Sequence, residues 1–462
     1  MARNDPQYTD IPDRAAAPAH RTGPRGRLAR ARLPGMSSRQ AAGPREIFSW
    51  AMFDFANSSY TTVIVTVAFG VFFTSAVAPA ESADFLWGLA LGISNVLVLV
   101  TAPLIGAAAD DSGRKKPFLA ATYLSCVATT AALYFVEPGS VVIAMALFVL
   151  SNVAFAHGEN LVGAFLPEIS TAANAGRISG LGWGLGYFGG LASLLLIRPF
   201  MAAGLDAGNL ERVRWIWPLT AGFFLVAALP TFVWLRERAP RDAWRGFPAY
   251  ARRGFARLVT TGHSIAHFRQ LARFLTVFFV YSLGFTIAVA FSGIFARTTL
   301  GFTANELVAL FLILQISSAG GAVGFGWLQD KIGSRRTLQL SLALWVLVSL
   351  ASAACQTKSQ FLVIGLAAGI GIGSLQAASR GVVATFSPPS KAGEFFGFWG
   401  LALRASFALG PILFGLVSSW SGSQRIAVLM TTVFFLVGLF GLQRVDDEAG
   451  REAALSWREP AA

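Results

Sequence analysis

The amino-acid sequence predicts an all-α membrane protein in which twelve transmembrane helices form two pseudo-symmetric six-helix bundles. Of the 462 residues, 54% are apolar and only 13% are charged, which is too few charges to solvate a globule of this size. Twelve apolar segments approach or exceed the ~20 residues that a helix needs to cross the ~30 Å core of a bilayer. A short loop motif occurs twice, 220 positions apart, and indicates that the chain arose by internal duplication.

The apolar segments divide the chain into five regions. They cover residues 47–78, 85–109, 117–136, 140–167, 178–200, 213–235, 272–296, 304–328, 336–355, 359–386, 394–420 and 424–443. Turn-forming residues such as Glu137-Pro138-Gly139 separate them. The predicted regions are an N-terminal tail (1–44), an N-terminal six-helix bundle (45–235), a linker (236–270), a C-terminal six-helix bundle (271–443) and a C-terminal tail (444–462).

The charged residues of the loops predict the orientation. Lys and Arg cluster in the loops on one side, whereas the first two loops on the other side carry acids. By the positive-inside rule the basic side is cytoplasmic, so both termini are cytoplasmic and the protein lies in the plasma (inner) membrane. Nucleic-acid binding does not fit, because the formal charge of +13 is spread between apolar runs instead of forming one dense stripe.

Two segments outside the membrane are rich in basic residues. The N-terminal tail has the composition of a disordered arm; an organelle-targeting or lipid-binding role is the alternative, and Met36 is a second candidate start. In the linker, apolar residues fall close to one helical face with basic residues between them, which favours an interfacial helix over an ordinary linker. The residues of this pattern are Phe255, Leu258, Val259, Ile265 and Phe268, with Arg252, Arg253, Arg257 and His263.

The repeated loop motif combines two glycines, an acid and a basic run. Its copies are Gly106, Asp110, Gly113, Arg114, Lys115 and Lys116, and Gly326, Asp330, Gly333, Arg335 and Arg336. The first Gly lets a neighbouring helix approach closely, and the second permits a tight turn. The acid needs a partner, either a basic side chain or the positive N-terminal end of a helix. We expect a conformational latch between the bundles; the alternative is a pure topology signal.

Ionisable side chains inside the spanning segments are few, and each costs ~2.5–3.5 kcal/mol at the centre of a membrane helix. They are Asp54, His157, Glu159, Arg380, Arg404 and the boundary acid Glu394. Asp54 begins a polar face of helix one that continues with Asn57 and Ser58. We expect this face to bind substrate or a coupling ion; the alternative is that Asp54 only fixes helix one.

Two polar clusters occupy nearly corresponding places in the two halves. They are His157, Glu159 and Asn160 on helix four, and Gln376, Ser379 and Arg380 on helix ten. We expect Glu159 and Arg380 to form a salt bridge that closes the inner gate; alternatively, Arg380 binds a substrate carboxylate or phosphate. Arg404, nearest mid-membrane, is the stronger anion-binding candidate if it faces the cavity. His157 is a candidate proton relay, although a structural histidine is more common.

The division into six plus six helices, with this loop after helices two and eight, resembles the major facilitator superfamily over about residues 47–443. The resemblance implies the fold of that superfamily. In it, the acid of this loop takes part in a charge relay, which implies gating roles for Asp110 and Asp330 with Arg177 as a partner.

Finer features are similar to the vacuolar amino-acid effluxer (autophagy-related) family and its bacterial relatives. They are residues 50–58 (WAMFDFANS), 164–168 (AFLPE), the Gly-studded stretch 180–190, and 376–380 (QAASR) followed by 393–397 (GEFFG). One feature departs from the family. In the family, helix seven carries Asn-Asp-Gly, whereas this chain has Ser282-Leu283-Gly284 at that place. The acid that would couple transport to protons in relatives is therefore absent from helix seven here.

Together these observations predict a secondary active transporter of small solutes, such as amino acids or related metabolites, working by alternating access. Drug or sugar transport by the same fold, a membrane enzyme and a non-transporting sensor are the alternatives. An enzyme fits least, because the membrane-embedded residues include one His and no His/Asp cluster. The two Cys have no metal spacing, and we expect no cofactor. The expected partners of the monomer are the lipid bilayer, a small-molecule substrate, and a proton or sodium ion.

Overall fold

The computed structural model describes residues 42–201, 204–238, 253–256 and 266–457, and the regular structure in this part of the chain is helical. Twelve helices there are long and apolar enough to cross a membrane, as the sequence predicts. They are α1 (Pro44–Val77), α2 (Ala83–Ser112), α3 (Lys115–Phe135), α4 (Val141–Ile169), α5 (Ala175–Met201), α6 (Ala207–Trp234), α7 (Arg269–Thr298), α8 (Ala304–Ile332), α9 (Ser334–Ala354), α10 (Lys358–Phe386), α11 (Ala392–Ser421) and α12 (Gln424–Arg444).

The helix ends follow the predicted segments closely. The largest shift is at α6, which begins with a short 3-10 turn at Ala207 and not at 213. Gly113 ends α2 with a φ of 62°, a left-handed conformation that favours glycine. Residues Ala41–Ala462 form one compact unit, so the boundaries between the predicted bundles stay a prediction.

Capping residues begin two helices at the side of the membrane opposite the loop motif. Thr303 and Glu306 form a capping box at the start of α8, and Thr357 and Gln360 form another at the start of α10. The ammonium of Lys358 then pairs with Glu306 at 2.8 Å. These helix starts are therefore tied together within the C-terminal half.

The first helix is irregular in its second half. After the α-helical part Pro44–Ser59, the chain forms π-helical turns at Tyr60–Val67 and Phe73–Val77. The hydroxyl of Thr66 donates to the carbonyl of Thr61, five residues back, in keeping with the wider turn. Asp54 lies in the regular part and Tyr60 at the point where the π-helix begins.

Helices from the two halves touch closely at the side that carries the two loop motifs, which we call the basic side. There α2 packs against α11 through Gly106 and Gly393, and α5 packs against α8 through Gly176 and Gly326. A side chain at any of these four positions would overlap the opposite backbone. The two halves are therefore closed against each other at the basic side.

The predicted C-terminal tail contains a folded helix, α13 (Asp447–Ser456). Gly450 packs against the ring of Phe386 at the end of α10, and the ring of Trp457 lies 4.9 Å from that of Phe268. The side chain of Asp447 accepts a hydrogen bond from the backbone N–H of Arg335 at 3.0 Å. This helix therefore connects loops at the basic ends of three helices in the C-terminal half.

Two predictions fall mainly outside the described residues. Residues 1–41 of the predicted N-terminal arm lie outside the described residues. Most of the predicted interfacial helix also lies outside them, in the segments 239–252 and 257–265. Residues 253–256 are helical. In this short piece Gly254 packs against α2, the Arg253 guanidinium lies 3.7 Å from the carboxylate of Asp111, and Phe255 is exposed.

Candidate functional site

The first loop motif binds the N-terminal end of a helix from the other half. Because Gly106 has no side chain, α2 reaches the backbone of Gly393 at the start of α11. One turn later, Oδ2 of Asp110 accepts a hydrogen bond from the backbone N–H of Glu394 at 2.9 Å. The first N–H groups of a helix generally lack carbonyl acceptors within that helix, and the helix dipole there attracts a carboxylate. The predicted contact between an acid and a helix N-terminus is present.

Buried charges surround the Asp110 carboxylate. The Lys115 ammonium lies 3.3 Å from Asp110 and donates to Glu168 at 2.8 Å, and all three side chains are at most 3% exposed. The same ammonium donates to the carbonyl of Pro389, just before α11. The carboxylate of Glu394 itself pairs with Lys391 at 3.4 Å. The network therefore links α2, α3, the end of α4 and the start of α11.

The second loop motif makes the equivalent contact with fewer charges. Gly326 packs against Gly176, and the carboxylate of Asp330 accepts from the backbone N–H groups of Gly176 at 2.9 Å and Arg177 at 3.1 Å. The Arg177 side chain is 60% exposed, and its Nε lies 3.8 Å from Asp330. Arg177 is thus next to Asp330, as predicted, but it is a peripheral partner.

The other predicted gate residues have local or peripheral contacts. Gly333 adopts a φ of 89° between α8 and α9. Arg114 lines a cavity of about 290 Å³ between α3 and the end of α6. Arg335 binds α13 through its backbone, and the Arg336 side chain is exposed. In the described structure, the exposed Arg336 side chain is therefore peripheral to the α2–α11 and α5–α8 contacts.

Asp54 and Arg380 form a buried ion pair between α1 and α10. The guanidinium lies 2.7 Å from Oδ2 of Asp54, and the side chains are 9% and 3% exposed. Arg380 also donates to the hydroxyl and the carbonyl of Ser179 on α5, at 3.1 and 2.9 Å. It lies over the rings of Trp50 and Trp183, at 4.8 and 5.2 Å from their centroids.

The predicted salt bridge between Glu159 and Arg380 is wrong. Arg380 pairs with Asp54 and donates to Ser179, and Glu159 pairs instead with Arg404 of α11, at 3.6 Å. Equal positions in two related halves do not fix which side chains meet, because the rotation and spacing of the helices decide it. Glu159 remains within electrostatic range of Asp54 and Arg380.

The Glu159–Arg404 pair is looser than the Asp54–Arg380 pair. Its side chains are 19% and 17% exposed, and the guanidinium lies 6.0 Å from the centroid of Phe155. Arg404 is about 18 Å along α11 from Ala392, at 1.5 Å per residue, which is near the middle of a ~30 Å bilayer core. The N-terminal half thus contributes two acids and the C-terminal half two arginines to one inter-half charge cluster.

The remaining predicted residues lie around this cluster. The hydroxyl of Thr101 donates to the carbonyl of Leu97 and therefore accepts from Nε2–H of His157 at 3.0 Å. Among the residues that the structure describes, Nδ1 of the buried His157 has no hydrogen-bond partner. The other four residues are Asn160, which packs against Gly400; Ser58, which donates to the Asp54 carbonyl; the buried Asn57; and the partly buried Gln376.

Sequence reasoning missed several partners. It gave no partner role to Glu168 or Lys391, yet both are buried in the network around Asp110. The ion pair of Glu46 with Arg238, at 2.7 Å, was also missed, and it ties the start of α1 to the chain after α6. The hydrogen bonds that the Arg238 guanidinium donates to the Glu46 carboxylate raise the pKa of that guanidinium. The available signal was an acid at the edge of a spanning segment, just before the first for Glu46 and just after the fourth for Glu168.

Comparison with known proteins identifies relatives along most of the chain. A family model described as Vacuole effluxer Atg22 like matches residues 87–455. The uncharacterised MFS-type transporter YxiO of Bacillus subtilis is 25% identical over 415 residues, which cover 88% of this chain and 96% of that protein. Autophagy-related protein 22 of Yarrowia lipolytica is 25% identical over 340 residues, which cover 66% of this chain and 56% of that longer protein.

Solved structures of major facilitator superfamily transporters share the fold. The proton:xylose symporter XylE aligns with a TM-score of 0.68 at 15% identity, over 89% of this chain and 99% of that one. The human organic anion transporter MFSD10 aligns with a TM-score of 0.66 at 17% identity, over 86% and 99%. Since the family model spans most of the sequence and these structures share its fold, the chain belongs to the Vacuole effluxer Atg22 like family of major facilitator superfamily transporters.

Proposed function

We propose that this protein is a secondary active transporter of small solutes, amino acids or related metabolites among them, that works by alternating access between its two halves. The observation that carries the proposal is the charge cluster between the halves, in which Asp54 and Glu159 meet Arg380 and Arg404. Charges are costly in the interior of a membrane protein, so inter-half pairs are best explained by contacts that break and re-form during transport. The family description, as an effluxer, favours export.

The positive-inside rule supports a cytoplasmic location for the basic side and for both termini. We further propose that the protein is a monomer in the plasma (inner) membrane. With that orientation, the described conformation is closed to the cytoplasm.

In this proposal the two loop motifs act as latches. Asp110 holds the start of α11 and Asp330 holds the start of α5 while the cytoplasmic side is closed. When that side opens, each carboxylate loses the backbone N–H groups that satisfy it, and water replaces them. The latches therefore set the stability of the closed conformation without contacting the substrate.

Counterflow in proteoliposomes tests the function. Labelled amino acids, sugars and organic anions are presented to the purified protein, with and without a pH or sodium gradient. We expect saturable exchange of at least one class, loss of exchange in Arg380→Gln, and normal exchange in the control Arg297→Gln, which removes an exposed charge at the far end of α7. Ligand binding without exchange in any arm would indicate a sensor and refute transport.

A further inference from the structure

The two arginines of the inter-half cluster differ in how completely their charges are satisfied. Arg380 has an ion pair at 2.7 Å, two hydrogen bonds to Ser179 and two aromatic faces, and its side chain is 3% exposed. Arg404 has the Glu159 carboxylate at 3.6 Å and the face of Phe155, and no hydrogen bond within the described residues. A guanidinium offers five N–H donors, so Arg404 retains capacity for a further acceptor.

Position makes Arg404 accessible to a solute. It lies near mid-membrane at the boundary between the halves, and both side chains of its pair keep close to a fifth of their surface exposed. By contrast, Arg380 is enclosed by Trp50, Trp183 and Gly182. An anionic group that enters between the halves therefore meets Arg404 first.

Charge balance limits how an anion can bind to this cluster. The cluster is neutral as it stands, with two carboxylates and two guanidinium groups. An anion that binds another edge of the Arg404 guanidinium shares its single positive charge with Glu159, so the cluster then carries one uncompensated negative charge. Such a charge is costly in a poorly hydrated site, and the Glu159 carboxylate removes it by binding a proton.

We propose that Arg404 is the binding residue for an anionic group of the substrate, a carboxylate or a phosphonate, and that Glu159 takes up one proton when the anion binds. Anion and proton thus enter the site as a neutral pair. This inference rests on the proposed transport function and deepens it by naming a substrate class and the coupling ion. It also identifies Glu159 as a proton-binding acid in a chain whose helix seven has Ser282-Leu283-Gly284, a stretch without an acid.

Other titratable and charged groups face Glu159 and Arg404. On α1 these are Asp54, which stays paired with Arg380 of α10, and Tyr60, whose hydroxyl is bonded to Ser151. On α4 the open Nδ1 of His157 is a second proton acceptor within electrostatic range of Arg404. The experiment must therefore separate Glu159 from His157.

The test is calorimetric titration of the full chain in phosphatidylcholine nanodiscs. The probes are acetate, lactate, succinate, benzoate and methylphosphonate, with acetamide, lactamide, succinamide and benzamide as uncharged counterparts. Titrations in two buffers of different ionisation enthalpy give the number of protons taken up. We expect an acid, and not its amide, to bind with uptake of about one proton, and its Kd to rise about tenfold per pH unit at alkaline pH.

Variants assign the two roles. Glu159→Gln should bind the anion without proton uptake and with little pH dependence, whereas His157→Gln should keep the uptake. Arg404→Gln should lose binding by at least tenfold, and if it does not fold, Arg404→Lys should bind more weakly with the uptake retained. The controls Glu81→Gln and Arg297→Gln change exposed charges and should behave as the parent protein.

Several results overturn the inference. They are equal binding of acids and amides, binding of no acid in the panel, anion binding without proton uptake, and uptake that persists in Glu159→Gln but disappears in His157→Gln. Exchange of an uncharged solute in counterflow would leave the transport function standing while this inference fails. Anion binding with proton uptake but no exchange of any solute would refute transport and keep the site.

Discussion

Replacing Gly106 by alanine tests whether close helix contact at the basic side sets the conformational equilibrium. The new methyl group would overlap the carbonyl of Gly393 and approach the N–H of Glu394 to 3.0 Å, both of them backbone atoms of α11. Backbone cannot rotate away as a side chain can, so α11 must move outward. Gly106→Ala should therefore destabilise the closed contact and weaken the neighbouring hydrogen bond to Asp110.

The magnitude follows from overpacking at a tight contact, which costs about 1–3 kcal/mol. Alternating access moves helices largely as rigid bodies, so the helix propensity that alanine gains over glycine cancels between the closed and open conformations. The population ratio of closed to open forms should then fall by roughly 5-fold to 150-fold. A protein that is mostly closed becomes a measurable mixture of closed and open forms.

Spin labels at Ala172→Cys and Arg336→Cys report this equilibrium, because these exposed positions belong to opposite halves at the basic side. The two native cysteines are buried and free and can be replaced beforehand. The control is Gly92→Ala on the same helix, where a methyl group has no neighbour within 4 Å. The reasoning is refuted if Gly106→Ala and Gly92→Ala give the same distance distribution.

Three further predictions concern the ion pairs and α13. Asp54→Asn leaves the Arg380 guanidinium buried without a counter-ion, which should lower the free energy of unfolding by about 3–5 kcal/mol in thermal or denaturant unfolding. The double variant in which the two charges are swapped should recover part of this loss. Absence of coupling in the double-mutant cycle would argue against the pair. Asp330→Asn should increase cysteine labelling at the basic side. Arg177→Ala should change this labelling by less than twofold, because the Arg177 side chain is 60% exposed and two backbone N–H groups still bind the Asp330 carboxylate. Equal labelling in those two variants would contradict this ranking. Trp457→Ala should release α13 from the basic ends of the helices. The protease sensitivity of α13 should then rise, while the helix content of the membrane domain stays the same. Unchanged cleavage would show that the Trp457 ring does not hold α13 in place.

Much of the fold could be predicted from local patterns. Membrane helices are predictable because every buried backbone group must be satisfied within its own segment, so length and hydropathy suffice to place them. The loop motif was equally informative, since Gly at 106 and 326 and Asp one turn later allow close approach and then contact with a helix N-terminus. The sequence did not indicate that the C-terminal tail contains a docked helix, because α13 has little apolar surface of its own.

The pairing of charges depends on the tertiary structure. The apolar segments around Asp54, Glu159, Arg380 and Arg404 were enough to predict that these side chains lie inside the membrane and need partners. Which acid meets which arginine depends on the rotation and spacing of helices that are far apart in the chain, and periodicity along one helix carries no information on them. Only the packed structure placed Asp54 on Arg380, left Glu159 loosely paired with Arg404, and buried Lys115 between Asp110 and Glu168.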